Sequence, residues 1–262
     1  MPEGDTVYRT AVHLDQALRG RALTVSDVRV PKYASVDLRG EVVDEVVAVG
    51  KHLLTRVGAW SIHTHLKMEG SWHIYRHGTP WRRPAHQARI ILENADWVTV
   101  GFDLGTVEIF ERAREEEAVG HLGPDLLGPD WADGGAAEAV RRLSADGARE
   151  IDVALLDQRN LAGLGNVYAN ELCFLRGVLP QRPVDEVRDL PAVVALAHRL
   201  ITANRDRVER TTTGDLRPGK QTWVYGREGK PCRRCGTKIK HGMLGANELA
   251  LRDTYWCPHC QT

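Results

Sequence analysis

Cys232 and Cys235 are followed about twenty residues later by Cys257 and Cys260, so four of the five cysteines form two C-x-x-C pairs near the end of the chain. A C-x-x-C turn presents both thiolates to one point, and two such turns supply the four soft donors of a tetrahedral Zn²⁺ site. A pair of disulfides is the competing reading. It is disfavoured because no export signal precedes the chain, and C-x-x-C pairs in a non-secreted protein point to metal. From Arg217 onward, nine Lys or Arg stand against three acids, while the formal net charge of the whole chain is zero. Positive charge concentrated in this way points to a polyanion as partner.

The other end offers a second reactive group. Met1 is followed by Pro2, and a small second residue permits removal of the initiator, which leaves a secondary amine at the terminus. An α-amino group titrates near pH ~8, well below a lysine at ~10.4, so a useful fraction is free base at neutral pH. Such an amine condenses with an aldehyde carbon to give an iminium, a strong electron sink, and Glu3 beside it is placed to move protons. Taken alone, Met-Pro is also a common start with no catalytic meaning.

The elements that must hold these groups follow from periodicity. Val7, Ala11, Leu14 and Leu18 fall at helical spacing and Gly20 supplies a stop. Short β-branched or aromatic runs follow at 22–30, 41–49, 52–57, 60–66, 71–75, 87–92, 97–102 and 107–110, which predicts an antiparallel sandwich with one leading helix. Gly123-Pro124 and Gly128-Pro129 bracket a segment that continues neither helix nor strand, and an interdomain hinge is expected over 122–131. Beyond it the pattern is helical at 136–143, 151–157, 167–175 and about 191–208. The glycine turn Gly163-Leu164-Gly165-Asn166 feeds one of these helices. Exposed N–H groups there make a phosphate seat, although a turn that only packs two helices together reads equally well.

With 262 residues, 42% of them hydrophobic, the chain is long enough for two ordinary domains. It reads as a soluble, cytoplasmic protein, since no stretch approaches the apolar length of a membrane span. Cys173, in the apolar run Leu172–Leu175, is expected to be a buried, inert thiol.

MPEGDTV at the start, GKHLL at 50–54, HLKMEG at 65–70, GLGNVYANE at 163–171, and VYGREGKPCRRCG with YWCPHCQ at the end resemble, in order and along the whole chain, the formamidopyrimidine-DNA glycosylase and endonuclease VIII family of base-excision repair enzymes. The resemblance implies an α+β fold of two domains. Residues 1–121 would form the β-sandwich and 132–222 a helix-two-turn-helix domain, with 223–262 a β-hairpin zinc finger holding one structural Zn²⁺ on Cys232, Cys235, Cys257 and Cys260. It implies a Schiff-base nucleophile at Pro2, a general acid at Glu3, and phosphate contacts from Lys51, Asn166 and Arg252. Lys51 would also assist β-elimination, and Arg252, on the hairpin loop, δ-elimination. Met68 matches a residue that fills the void left by a flipped base, against an alternative of ordinary core packing. Glu171 reads as a structural support for the asparagine turn.

The implied partner is double-stranded DNA carrying oxidised bases or abasic sites, bound by a monomer. Two stretches, Phe102–Glu108 and Gly214–Gln221, depart from the purine-specific branch, which carries a DPRRFG-like loop and a longer capping segment. Both departures favour oxidised pyrimidines. Two other readings compete: a catalytically silent paralogue that only binds damaged DNA, and a zinc-ribbon RNA-binding protein that would leave Pro2-Glu3-Gly4 unexplained.

Overall fold

Val7, Ala11, Leu14 and Leu18 line the buried face of α1 (Gly4–Leu18) in the computed structural model, which describes residues 2–262. The helix ends where Gly20 turns into the left-handed region at φ 71°, a conformation glycine adopts without steric cost. Asp15 ties the helix to the sheet beneath it, its carboxylate accepting the Val46 amide at 2.7 Å.

Eight strands follow: β1 (Val25–Val28), β2 (Val43–Val49), β3 (His52–Val57), β4 (Trp60–His65), β5 (Ser71–Arg76), β6 (Ala88–Glu93), β7 (Trp97–Phe102) and β8 (Thr106–Glu111). They form two antiparallel sheets, ordered β1-β6-β7-β5 and β2-β3-β4-β8. Leu53, Val57, Ile62, Val107 and Ile109 from one sheet meet Ile90 and Leu92 from the other, and α1 closes the same core. Alternation sends the intervening residues of β3, β4 and β8 to the opposite face. That face carries Arg56, which binds Glu115 of α2 (Glu115–Val119), a short helix that periodicity did not reveal. β1 is shorter than expected. Ala22 makes only an isolated bridge to Val42, and regular pairing with β6 begins at Val25.

The chain divides at His121 and Leu122 into two units. Residues 122–131 pack within the second: Leu126 is fully buried, and Gly123 and Leu126 donate their amides to Gln158 and Ala162. A Cβ on Gly123 would lie 2.6 Å from the Arg159 carbonyl, so this approach admits only glycine. The helices are α3 (Gly135–Ser144), α4 (Ile151–Leu156), α5 (Asn166–Arg176) and α6 (Leu190–Asn204). They share a core of Leu126, Leu155, Leu164, Tyr168, Leu172, Val194 and Ile201. α6 stops four residues short of the expected Val208. The Asn204 side chain there exchanges two hydrogen bonds with the Thr211 backbone and turns the chain, leaving Val208 83% exposed. A last hairpin, β9 (Lys240–Leu244) with β10 (Arg252–Trp256), completes the unit.

Candidate functional site

The two C-x-x-C turns converge. Sγ atoms of Cys232 and Cys260 are 4.0 Å apart and those of Cys235 and Cys257 3.5 Å, and all four lie within 4.8 Å of one another. Four thiolates at ~2.3 Å from one ion stand about 3.8 Å apart, whereas a disulfide brings sulfurs to ~2.05 Å. The donor set therefore fits a tetrahedral metal ion and does not fit disulfides. Backbone geometry shapes each turn: Cys232 donates to and accepts from the Thr237–Gly236 segment, and the Cys257 amide reaches the Gln261 side chain at 2.7 Å. Hydrogen bonds from Thr237 lower the Cys235 thiol, whereas burial raises those of Cys257 and Cys260, so these sulfurs share their protons unevenly. Cys173 lies apart from this cluster, fully buried, its thiol raised well above the ordinary range by burial.

The glycine turn ahead of α5 is braced by Gln158, whose amide nitrogen donates to the Leu156 and Leu164 carbonyls while its oxygen accepts the Gly163 amide. Asn166, the first residue of α5, is 3% exposed. Its side chain, expected to seek phosphate, donates one N–H to the Asp253 carbonyl of β10 at 2.8 Å. Asn170, one turn on, donates to the Asn166 carbonyl and accepts the Tyr255 amide. Glu171 is fully buried. Its carboxylate accepts the backbone amides of Trp223, Val224 and Tyr225 at 2.7, 2.8 and 2.9 Å, together with the Thr212 hydroxyl. It thus anchors the segment entering the cysteine region rather than the asparagine turn. Arg227, which the sequence did not single out, is buried beside it and donates to the Trp223 and Pro231 carbonyls. Arg252 is exposed at the first position of β10, opposite Leu244, a strand position rather than one in the loop itself.

In the first unit, Pro2 is half-buried and Glu3 fully buried at the N-cap of α1, where its carbonyl accepts the Val7 amide. A carboxylate there faces the positive end of the helix dipole. Lys51 occupies the two-residue turn joining β2 and β3, whose first position, Gly50, has φ 59° as a type II′ turn requires. Met68 is 60% exposed in the turn between β4 and β5, so it is not part of the sandwich core. Gly70 lets that turn close, because its backbone approaches Leu66 too tightly for any side chain. Phe102–Thr106 is a tight connection. Phe102 and Leu104 are buried, and Asp103, at φ 44°, is held by Arg83.

Sequence reasoning missed a histidine cluster under the Lys51 turn. His52 Nδ1 lies 2.8 Å from His63 Nε2, and His63 Nδ1 lies 2.9 Å from the Glu108 carboxylate. The signal was His63 and His65 at alternating positions of one strand with His52 on its neighbour, a pattern that also reads as an ordinary polar face.

The pattern described as the formamidopyrimidine-DNA glycosylase N-terminal domain matches residues 1–104, and that of the formamidopyrimidine-DNA glycosylase H2TH domain matches residues 122–214. This chain belongs to the formamidopyrimidine-DNA glycosylase family. Within the family, it is 55% identical over its full length to 99% of the DNA-(apurinic or apyrimidinic site) lyase Nei2 of Mycolicibacterium smegmatis. It is 51% identical, with both chains wholly covered, to endonuclease 8 2 of Mycobacterium tuberculosis. The fold matches that of the Lactococcus lactis formamidopyrimidine-DNA glycosylase in complex with DNA containing an abasic site, with TM-score 0.82 at 20% identity and complete coverage of both chains. No helix among the described residues is long and apolar enough to cross a membrane.

Proposed function

We propose that this member of the family is a bifunctional DNA glycosylase and abasic-site lyase of the endonuclease VIII type, acting on oxidised pyrimidines in duplex DNA. The observation that carries the reading is the full-length likeness to Nei2 and endonuclease 8 relatives at more than half identity, in a chain that begins Met-Pro-Glu. The Phe102–Thr106 connection supports pyrimidine selection, because its aromatic residue is in the core and it offers no arginine to a void.

The damaged base must first leave the stack, at a cost of a few kcal/mol that is least for damaged or mispaired bases. Exposed Met68 fills the gap, since a flexible apolar side chain suits insertion between bases. The Pro2 nitrogen attacks C1′ and gives up its N–H proton as the bond from C1′ to the base breaks and the base departs protonated. The C1′–O4′ bond then opens, O4′ takes a proton through Glu3, and the nitrogen lone pair completes the iminium. The resulting iminium acidifies the C2′–H. Loss of that proton expels the 3′ phosphate, and a second elimination expels the 5′ phosphate. Lys51 and Arg252 hold the phosphates as they leave, and Asn166 uses its second N–H on the backbone, contacts that position the duplex without reading sequence.

The metal is a single structural Zn²⁺, because four thiolates leave no open position for water. The working divisions are the sandwich to residue 121, a connecting segment at 122–131, the helical domain at 132–222 and the finger at 223–262. The protein acts as a monomer in the cytoplasm. Borohydride trapping on a duplex with one abasic site, comparing methionine-processed protein with Pro2→Thr, tests the reading. A covalent adduct lost in the variant supports it, and no adduct from processed protein sends the assignment to a binding-only paralogue.

A further inference from the structure

We propose that Glu108, His63 and His52 form a proton route that ends beside Lys51 and serves the elimination steps of the lyase reaction. The inference rests on the lyase reading above and adds residues to it that the mechanism has not used.

The geometry is set by strand register. His63 on β4 stands directly opposite Glu108 on β8, and His52 on β3 directly opposite His65 on β4. Alternation puts all four on the face of the sheet that looks away from the sandwich core. His63 is almost fully buried there, stacked on His52 with ring centroids 5.0 Å apart, while the Glu108 side chain remains 42% exposed. One end of the chain is thus open to water and the other ends at the residue that follows Lys51.

The hydrogen bonds dictate the tautomers. An ionised Glu108 only accepts, so His63 carries its proton on Nδ1 and presents a lone pair at Nε2. His52 must then donate from Nδ1, which leaves its own Nε2 bare. The groups facing His52 are His63, His65, His121 and Lys67, and His65 in turn faces Lys67 and Lys51. Burial comes first; the imidazoles then oppose a second proton within the cluster and the Lys67 ammonium opposes any, which holds His52 at about 3, while burial with Lys67 and Lys51 holds His65 at about 4. Both imidazoles are neutral at physiological pH, and neither adds a cation beside Lys51.

Such a chain passes a proton without keeping it. A proton released from C2′ on elimination enters at His52 Nε2, the His52 Nδ1 proton moves to His63 Nε2, and the His63 Nδ1 proton moves to Glu108, which returns it to solvent. One C–H proton leaves, no group is oxidised or reduced, and each imidazole finishes neutral. A carboxylate–imidazole pair that only oriented Lys51 would need the hydrogen bond but not the acidity of Glu108, and this difference is measurable.

Glu108→Gln keeps an acceptor for His63 but cannot take the proton, and Glu108→Asp keeps the acidity. Single-turnover cleavage of a duplex carrying a preformed abasic site, followed from pH 5.5 to 8.5, is expected to fall about tenfold in Glu108→Gln. Borohydride trapping and thermal stability should stay at the wild-type level, and Glu108→Asp should recover most of the rate. Wild-type cleavage by Glu108→Gln overturns the proposal. So does a parallel loss of trapping, cleavage and thermal stability, which marks a structural pair. Failure of the wild-type protein itself to trap removes the lyase reading, and this proposal with it.

Discussion

Asn166 on α5 donates its side-chain amide to the Asp253 carbonyl on β10, 2.8 Å away, next to Arg252 in the chain. Asn170 reinforces the joint by accepting the Tyr255 amide and donating to the Asn166 carbonyl. The strand that begins with Arg252 therefore stands on α5, and two residues proposed to grip DNA phosphates are fixed to each other through buried hydrogen bonds.

A consequence concerns Asn170, which is fully buried and beyond reach of DNA. Asn170→Ala should weaken binding to an abasic-site duplex about three- to tenfold by loosening β10, with a stability cost of roughly 1–3 kcal/mol from the orphaned Tyr255 amide. In a double-mutant cycle with Arg252→Ala, the binding losses should be less than additive, because both changes act on one contact. Full additivity in fluorescence-anisotropy titrations would show that the joint does not position Arg252.

The cysteine cluster predicts one metal ion per chain. Cys232 and Cys257 are buried in a small core with Phe174, Val224 and Ile239, so a bound ion would act together with this packing to hold the segment 223–262. Cys232→Ser should lose the ion and weaken DNA binding, and a chelator should reproduce the effect on the wild-type chain. Native mass spectrometry gives the stoichiometry. Unchanged metal content in the variant would refute the four-thiolate assignment.

Glu171 is the second buried joint of that unit. Three amides and a hydroxyl point at its carboxylate, so Glu171→Ala strands four donors in a site closed to water. A loss on the order of 3–5 kcal/mol is expected, as for other broken buried charge networks. Urea denaturation measures it, and a loss under 1 kcal/mol would mean that the segment 223–225 finds other partners.

What the sequence revealed and what it hid divide along physical lines. β3 and β7 match their expected bounds because each is a short run rich in apolar and β-branched residues, buried on both faces and closed by turn residues, Gly58 after β3 and Asp103 after β7. α6 was read four residues too long because its end is set by Asn204 bonding to Thr211, a side-chain event that leaves no trace in periodicity. The hairpin of β9 and β10 showed no strand pattern of its own. It is basic and has a single buried residue, Thr254, and it is held by the cysteine cluster and by Asn170 rather than by an apolar face, so only the family resemblance announced it. The convergence of the four cysteines was legible because C-x-x-C spacing aims two thiols at one point. The Glu108–His63–His52 chain was not, because its residues are distant in sequence and meet only through strand register.

Asp152 carries a prediction of opposite sign to the usual acid sensitivity of proteins. It lies on α4, fully buried, and neither carboxylate oxygen has a hydrogen-bond partner among the described residues. Burial pushes its pKa up to about 7, against an ordinary value of 3.8. Between those values the folded chain holds a proton that the unfolded chain has lost, so the stability contributed by the neutral acid is present below pH ~4 and is lost as pH rises through 7. The slope cannot exceed about 1.4 kcal/mol per pH unit. Asp152→Asn removes the titration while nearly preserving shape. Its stability advantage over the wild-type chain should be smallest near pH 4 and should grow to roughly 2–4 kcal/mol by pH 8. Paired urea denaturation curves at pH 5 and pH 8 test this, and an advantage that does not change with pH would show that Asp152 is not the titrating group.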